Sequence, residues 1–186
     1  MHSLIFLLPL AVVAIPAIAA ETVSVPAFQS VELRGGGQIV YRHGPVQRVV
    51  LLSGSSQFTA FHVDRQRKLA IDACNAWCPQ HYDLRIEIES PAIPDSAVEG
   101  GGSIVAAPGF APQADVAVAV DGGGQIDLRS VRVADVAASV DGGGKLLIGP
   151  SANLAAAVNG GGEIRYAGDP QVTTAINGGG VVRRLN

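Results

Sequence analysis

From residue 96 onward, apolar side chains recur on every second position. Val116, Val118 and Val120 alternate with Ala117 and Ala119, and the same phase returns at Val136, Ala138 and Val140, then at Leu154, Ala156 and Val158, then at Val172, Thr174 and Ile176. A second set follows the first three of these: Ile126 and Leu128, Leu146 and Ile148, Ile164 and Tyr166, with Ile104 and Ala106 ahead of them. A period of two marks strands with one buried face. Between the two sets stands a glycine triplet, at 100–102, 122–124, 142–144, 160–162 and 178–180, so successive steps are 22, 20, 18 and 18 residues. All steps are even, which keeps the same side chains on the inner face from one repeat to the next. A unit of strand, glycine corner, strand and loop has one apolar stripe and must stack on its neighbours to bury it. The expected fold is all-β: a right-handed parallel β-helix-like solenoid with Gly-Gly-Gly corner repeats over 96–186. Its hand follows the right-handedness of parallel crossovers. A less regular β-rich portion over 21–95 would cap it.

Three glycines suit a corner because it needs positive φ and close backbone approach, both of which a missing Cβ permits. The residue before each triplet is Glu99, Asp121, Asp141, Asn159 or Asn177. Asp and Asn bond nearby backbone amides and set turns, so a ladder bonded to its own backbone is one expectation for this column. The other is chemical. Stacked carboxylates about 4.8 Å apart can share a proton, bind a cation or serve glycoside cleavage. The calcium-binding repeat of secreted β-rolls wants Gly-Gly-x-Gly-x-Asp, and only Asp127 follows a triplet in that way.

The start of the chain differs in composition. No charge occurs from Met1 to Ala20, an apolar run spans Leu4 to Ile18, and Ala17-Ile18-Ala19-Ala20 closes it. This reads as a signal peptide over residues 1–20, cleaved after Ala19 or Ala20, leaving 21–186 as a single domain without a membrane span. Export places Cys74 and Cys78 in an oxidising compartment, where a disulfide between them is expected. A metal or redox site with His81 is the alternative. The formal charge of −3 and 5% aromatic content disfavour nucleic acid, which wants a clustered basic face and stacking rings.

The repeats and what precedes them resemble the head GIN domain family, known as the heads of auto-transporter adhesins. Ala175-Ile176-Asn177-Gly178-Gly179-Gly180 is close to the family signature. Ser30-Val31-Glu32-Leu33-Arg34-Gly35-Gly36-Gly37-Gln38-Ile39-Val40 resembles its opening strand and turn, Val46 to Leu52 its second strand, and Lys68–Ile71 with Asp83–Ile88 its hairpin before the repeats. The resemblance implies an exported β-helical domain, periplasmic or at the cell surface, and supplies no catalytic residue. Arg183-Arg184-Leu185-Asn186 leaves no room for a barrel, so extracytoplasmic placement carries over and self-transport does not.

Other candidate chemistry is thin. His43, His62 and His81 are scattered, Ser53-Gly54-Ser55 is no nucleophile elbow, and Gly35-Gly36-Gly37 lacks the Lys-Ser/Thr of a phosphate loop. Trp77 is expected to pack on the hairpin or to offer an aromatic tip. Arg183 and Arg184 are expected to guard the open end of the stack against edge pairing. The sequence therefore predicts a non-catalytic, adhesion-like or scaffolding module with no cofactor, whose partner is an envelope protein or a glycan. A carbohydrate-active or cation-binding protein using the acidic column is the alternative.

Overall fold

The computed structural model describes residues 20–75 and 77–185; the expected signal peptide, apart from Ala20, lies outside them. The first half contributes strands β1 (Glu21–Val23), β2 (Ser30–Gly35), β3 (Gln38–His43), β4 (Arg48–Ser53), β5 (Ala60–Val63), β6 (Lys68–Asp72) and β7 (Arg85–Ser90). The five triplets of the second half are each flanked by a pair: β8 (Asp95–Gly100) and β9 (Ser103–Ala106), β10 (Gln113–Gly122) and β11 (Gln125–Leu128), β12 (Val133–Gly142) and β13 (Lys145–Ile148), β14 (Ser151–Gly160) and β15 (Glu163–Tyr166), β16 (Gln171–Asn177) and β17 (Val181–Arg184). No helix occurs among the described residues.

These strands form two mixed sheets. One has nine strands in the order β1-β4-β7-β3-β9-β11-β13-β15-β17, the other eight in the order β16-β14-β12-β10-β8-β2-β6-β5. Each triplet carries the chain from the eight-stranded sheet to the nine-stranded one, and the following loop carries it back. Strand–corner–strand units therefore lie on one another as rungs. Pairing between rungs is parallel and in register: Asp121 faces Glu99 and Asp141, and Asn159 faces Asp141 and Asn177. The unequal steps of the sequence are absorbed in the returning loops, so the register holds through every rung.

The alternating apolar positions are the core. Val116, Val118, Val120, Val136, Val140, Leu154 and Val158 are at most 4% exposed, as are Ile126, Leu128, Leu146, Ile148 and Ile164 on the facing sheet. Each such side chain contributes roughly 1.5–3 kcal/mol on burial. Val172 and Ile176 hold the same phase in the last rung yet are exposed, because no strand covers them.

The first half departs from its expected layout. Gly35–Gly37 forms a corner directly beneath the repeats, with Gly101 N–H donating to Gly35 O at 2.9 Å and Ser103 N–H to Gly37 O at 2.9 Å. Strands β6 and β7 are not a hairpin. β6 pairs in parallel with β2, β7 pairs in parallel with β3, and they lie in different sheets. Together they form a further rung outside the first triplet, although they follow it in the chain. Antiparallel β5 on β6, and β4 with β1 on β7, then finish that end of both sheets. The Cys74–Cys78 disulfide is present in the link from β6 to β7, and Trp77 within it is 88% exposed rather than packed.

The corners use their glycines unequally. The first glycine of a triplet has positive φ (Gly142, +103°), and a Cβ there would lie 2.8 Å from Gly122 O of the rung below. At the third, a Cβ on Gly144 would overlap Cγ1 of the inward Val120 and stand 2.9 Å from Gly124 O. At the middle glycine, Gly143, a Cβ would meet nothing within 4 Å, and φ is not positive. Urea unfolding should therefore show Gly143→Ala within about 0.5 kcal/mol of the parent. Gly142→Ala should lose roughly 1–3 kcal/mol through backbone strain, and Gly144→Ala a similar amount through overpacking. Equal losses at all three positions would contradict this division of roles.

Candidate functional site

In-register stacking converts each outward side chain of the eight-stranded sheet into a column. On β10 the outward residues are Asp115, Ala117, Ala119 and Asp121; on β12 they are Asp135, Ala137, Ser139 and Asp141. On β14 they are Asn153, Ala155, Ala157 and Asn159; on β16 they are Gln171, Thr173, Ala175 and Asn177. The face is thus a floor of Ala, Ser and Thr between two polar borders. The borders stand six residues apart, about 20 Å along the strand. The middle of the floor is a shallow concavity of about 540 Å³. It merges with one along Asp121, Asp141, Asn159 and Asn177 and with another along Asp115, Asp135 and Asn153.

One border is the column read from sequence: Glu99, Asp121, Asp141, Asn159 and Asn177 are brought together in that order. The other border, Asp115, Asp135, Asn153 and Gln171, is not visible from the triplets alone. Its signal is the six-residue spacing inside each repeat: Asp115 to Asp121, Asp135 to Asp141, Asn153 to Asn159, Gln171 to Asn177.

The hydrogen bonds correct the expected chemistry of the corner. Among the described residues the column side chains do not turn back on backbone amides; Asp141, Asn159 and Asn177 bond sideways, along the stack. Asn159 Nδ2 donates to Asp141 Oδ1 at 3.2 Å, and Asn177 Nδ2 to Asn159 Oδ1 at 3.2 Å. In the other border, Asn153 Nδ2 donates to Asp135 Oδ1 at 2.7 Å. Asp95 on this face instead caps a backbone amide, accepting from Ala117 N–H at 2.8 Å.

Glu99 belongs to a separate network at the start of the column. Its carboxylate lies 3.3 Å from Arg34 Nε, and Arg34 and Lys68 both reach the buried Glu32, at 2.7 and 2.8 Å. Burial pushes Glu32 up, but Lys68 and the adjoining Glu99 carboxyl as hydrogen-bond partners, with the Arg34 charge, hold it below the ordinary carboxylate range. Glu99 is held above that range, first by its hydrogen bond with Glu32 and then by burial. Asp121 and Asp141 have no Lys or Arg within salt-bridge distance among the described residues, nor do Asp115 and Asp135. The outer face of the nine-stranded sheet contrasts with this. There Glu163 is ringed by Arg165, Arg183 and Lys145 at 2.6, 2.8 and 3.5 Å. The hydrogen bond from Arg165 leads in bringing its pKa down to about 2.

No metal-binding group of three or more His, Cys, Asp or Glu side chains forms among the described residues. His43 stacks edge-on against Phe110. No helix among them is long and apolar enough to cross a membrane.

Adjacent unscreened carboxylates repel by about 1 kcal/mol at one strand spacing in water-like surroundings, and like charges directly opposite each other destabilise a sheet. Asp141→Asn lets the amide ladder run on to Asp121. It should raise the unfolding free energy by about 0.5–1 kcal/mol at low ionic strength and by less at high salt. Thermal denaturation at two salt concentrations checks this; a loss of stability would mean that Asp141 holds the corner itself.

Comparison with known proteins adds the following. Residues 95–170 match the family described as "Putative auto-transporter adhesin, head GIN domain". No curated protein matches the sequence. Among solved structures, a "putative adhesin" from Bacteroides fragilis NCTC 9343 is similar at TM-score 0.56 and 16% identity, covering 90% of this chain and 96% of its own. A "Putative lipid binding protein" from Parabacteroides distasonis ATCC 8503 is similar at TM-score 0.50 and 12% identity, with the same coverage of 90% and 96%. Both likenesses are of fold.

Proposed function

We propose, from the match of residues 95–170 to the head GIN domain family, that this protein is an exported, non-catalytic module of adhesion type. It presents the outer face of its eight-stranded sheet to an envelope protein or a glycan. The two sheets are the sides of a right-handed parallel β-helix-like solenoid, a reading supported by the alternation of successive strands between sheets and their parallel pairing. The adhesin description of the family supports the function and the extracytoplasmic location.

One observation carries the choice of face. The register turns a short repeated pattern, acid or amide, small, small, acid or amide, into a flat floor with polar borders. A flat floor without bulky side chains lets an extended partner lie close, and the borders offer acceptors and amide donors at a fixed pitch. The repulsive pairs Asp121–Asp141 and Asp115–Asp135 point the same way, since they cost stability where an amide would relieve it. Sites that break a local rule of stability are where function is expected.

The same geometry disfavours glycoside cleavage. Paired catalytic carboxyl groups stand roughly 5–9.5 Å apart on opposite sides of the bond they cut. Here the two borders are about 20 Å apart, and carboxylates within one border project from the same face.

Glycan-array and envelope-extract binding to the purified protein tests the reading, alongside thermal shift with each ligand found. A ligand that binds the native state raises the melting temperature as its concentration passes Kd. Ala137→Glu and Ala155→Lys, which roughen the floor from outside, should abolish binding and leave the unliganded melting temperature unchanged. Binding that survives both changes would move the site off this face. A saturable shift by calcium alone, lost in Asp121→Ala/Asp141→Ala, would replace the adhesion reading with cation binding.

A further inference from the structure

The two ends of the stack are finished differently. At one end the outermost strands are β1 and β5, antiparallel, three and four residues long, each with one neighbour. At the other they are the parallel β16 and β17, which among the described residues also have a neighbour on one side only. An edge strand with one neighbour leaves alternate N–H and C=O groups unpaired. The inner positions of this rung are uncovered too: Val172 is 36% and Ile176 47% exposed, whereas their counterparts one rung below, Leu154 and Val158, are 1% and 2% exposed. Another strand laid on β16 would bury them in the same way.

Edge strands are ordinarily protected by charge, proline or a bulge. Strand β16, Gln171-Val172-Thr173-Thr174-Ala175-Ile176-Asn177, has none of these within its length. The arginines expected as guards are on β17 and are engaged elsewhere: Arg183 lies 2.8 Å from Glu163 and Arg184 3.8 Å from Asp169.

Strand β16 also reads alike in both directions about Thr174: amide, β-branched apolar, small, Thr, small, β-branched apolar, amide. In an antiparallel pair of two such strands, Thr174 faces itself, Val172 faces Ile176 and Gln171 faces Asn177. The inner apolar residues meet each other and so do the outer amides. Asn177 donates to Asn159, which leaves its Oδ1 free to accept from Gln171 of the other strand. The borders of the face agree with this. They run Asp115, Asp135, Asn153, Gln171 and Asp121, Asp141, Asn159, Asn177, so carboxylates give way to amides in the two rungs nearest this end. Two copies joined here meet without opposing their carboxylates.

We propose that β16 pairs antiparallel with β16 of a second copy of this chain about a two-fold axis at Thr174. The contact is isologous and closed, so it yields a dimer and not a filament. Main-chain pairing supplies affinity and the mirrored side chains supply specificity. The two eight-stranded sheets become one, and the Ala-floored faces of the two copies run on into each other. This proposal stands whether or not that face is the adhesive one.

Sedimentation velocity of the purified protein over a wide concentration range tests it through a charge swap on the axis. The parent should dimerise. Thr174→Glu and Thr174→Lys each place like charges opposite one another and should each weaken dimerisation at least about tenfold, which corresponds to ~1.4 kcal/mol. Mixing the two variants in equal amounts should restore the dimer. Circular dichroism of each variant alone confirms that it is folded. A parent that stays monomeric throughout, a dimer that tolerates Thr174→Glu, or a mixture of folded variants that does not re-pair would overturn the proposal. A monomer that gains mass only with envelope extract would assign the edge to a different partner.

Discussion

The structure depends on glycine corners lying directly on one another. Gly123, Gly143 and Gly161 N–H groups donate to Gly100, Gly122 and Gly142 carbonyls at 2.9–3.0 Å, and the residue after each triplet donates to the third glycine of the rung below at similar lengths. This contact is possible because backbone sits where a Cβ would otherwise be. It also fixes the register. With the corner carbonyl of one rung bonded to the next, a strand cannot slip by one residue without breaking the corner, and a one-residue slip would turn Val118 and Val140 out to solvent.

Register then determines the rest. Inward, it lines up Val, Leu, Ala and Ile into one apolar column per position, which no rung could bury alone. Outward, it lines up whatever the repeat carries, so a weak local preference for Asp or Asn becomes a border of the face and a run of alanines becomes its floor. The same constraint sets the cost. Carboxylates that would be harmless on separate loops are held one strand spacing apart, and amides take over only where Asn153 and Asn159 begin to donate along the stack. Among the described residues no strand lies on β16, which leaves it as a complete but uncovered copy of the pattern.

Much of this was legible in the sequence because period-two patterning and even repeat steps are properties of single strands. Val116, Val136 and Leu154 could be placed on the inner face from spacing alone, and Glu99, Asp121, Asp141, Asn159 and Asn177 could be placed in one column. Partner choice is not local. Nothing in the text of Lys68–Asp72 or Arg85–Ser90 says that these strands pass back outside the first triplet, and the hairpin expected of them rested on the family resemblance alone. The second border has no glycine beside it to mark it, and its spacing lies entirely within one strand. The direction of the Asp and Asn side chains was also out of reach. An Asp before a turn bonds its own backbone as readily as a neighbour, and only the stacked neighbour decides between them. Likewise the triplets look uniform in sequence, yet Gly142 and Gly144 are required for different reasons and Gly143 for neither.

The most direct test of in-register stacking is a distance on the outer face in solution. Ala119 faces Ser139, which faces Ala157, so two nitroxide labels at Ala119→Cys and Ala157→Cys should lie two strand spacings apart, about 10 Å. Continuous-wave electron paramagnetic resonance should then show strong dipolar broadening that neither single label gives. Spectra that merely sum the two single labels would place these residues outside one column, and the face built on that register would not exist.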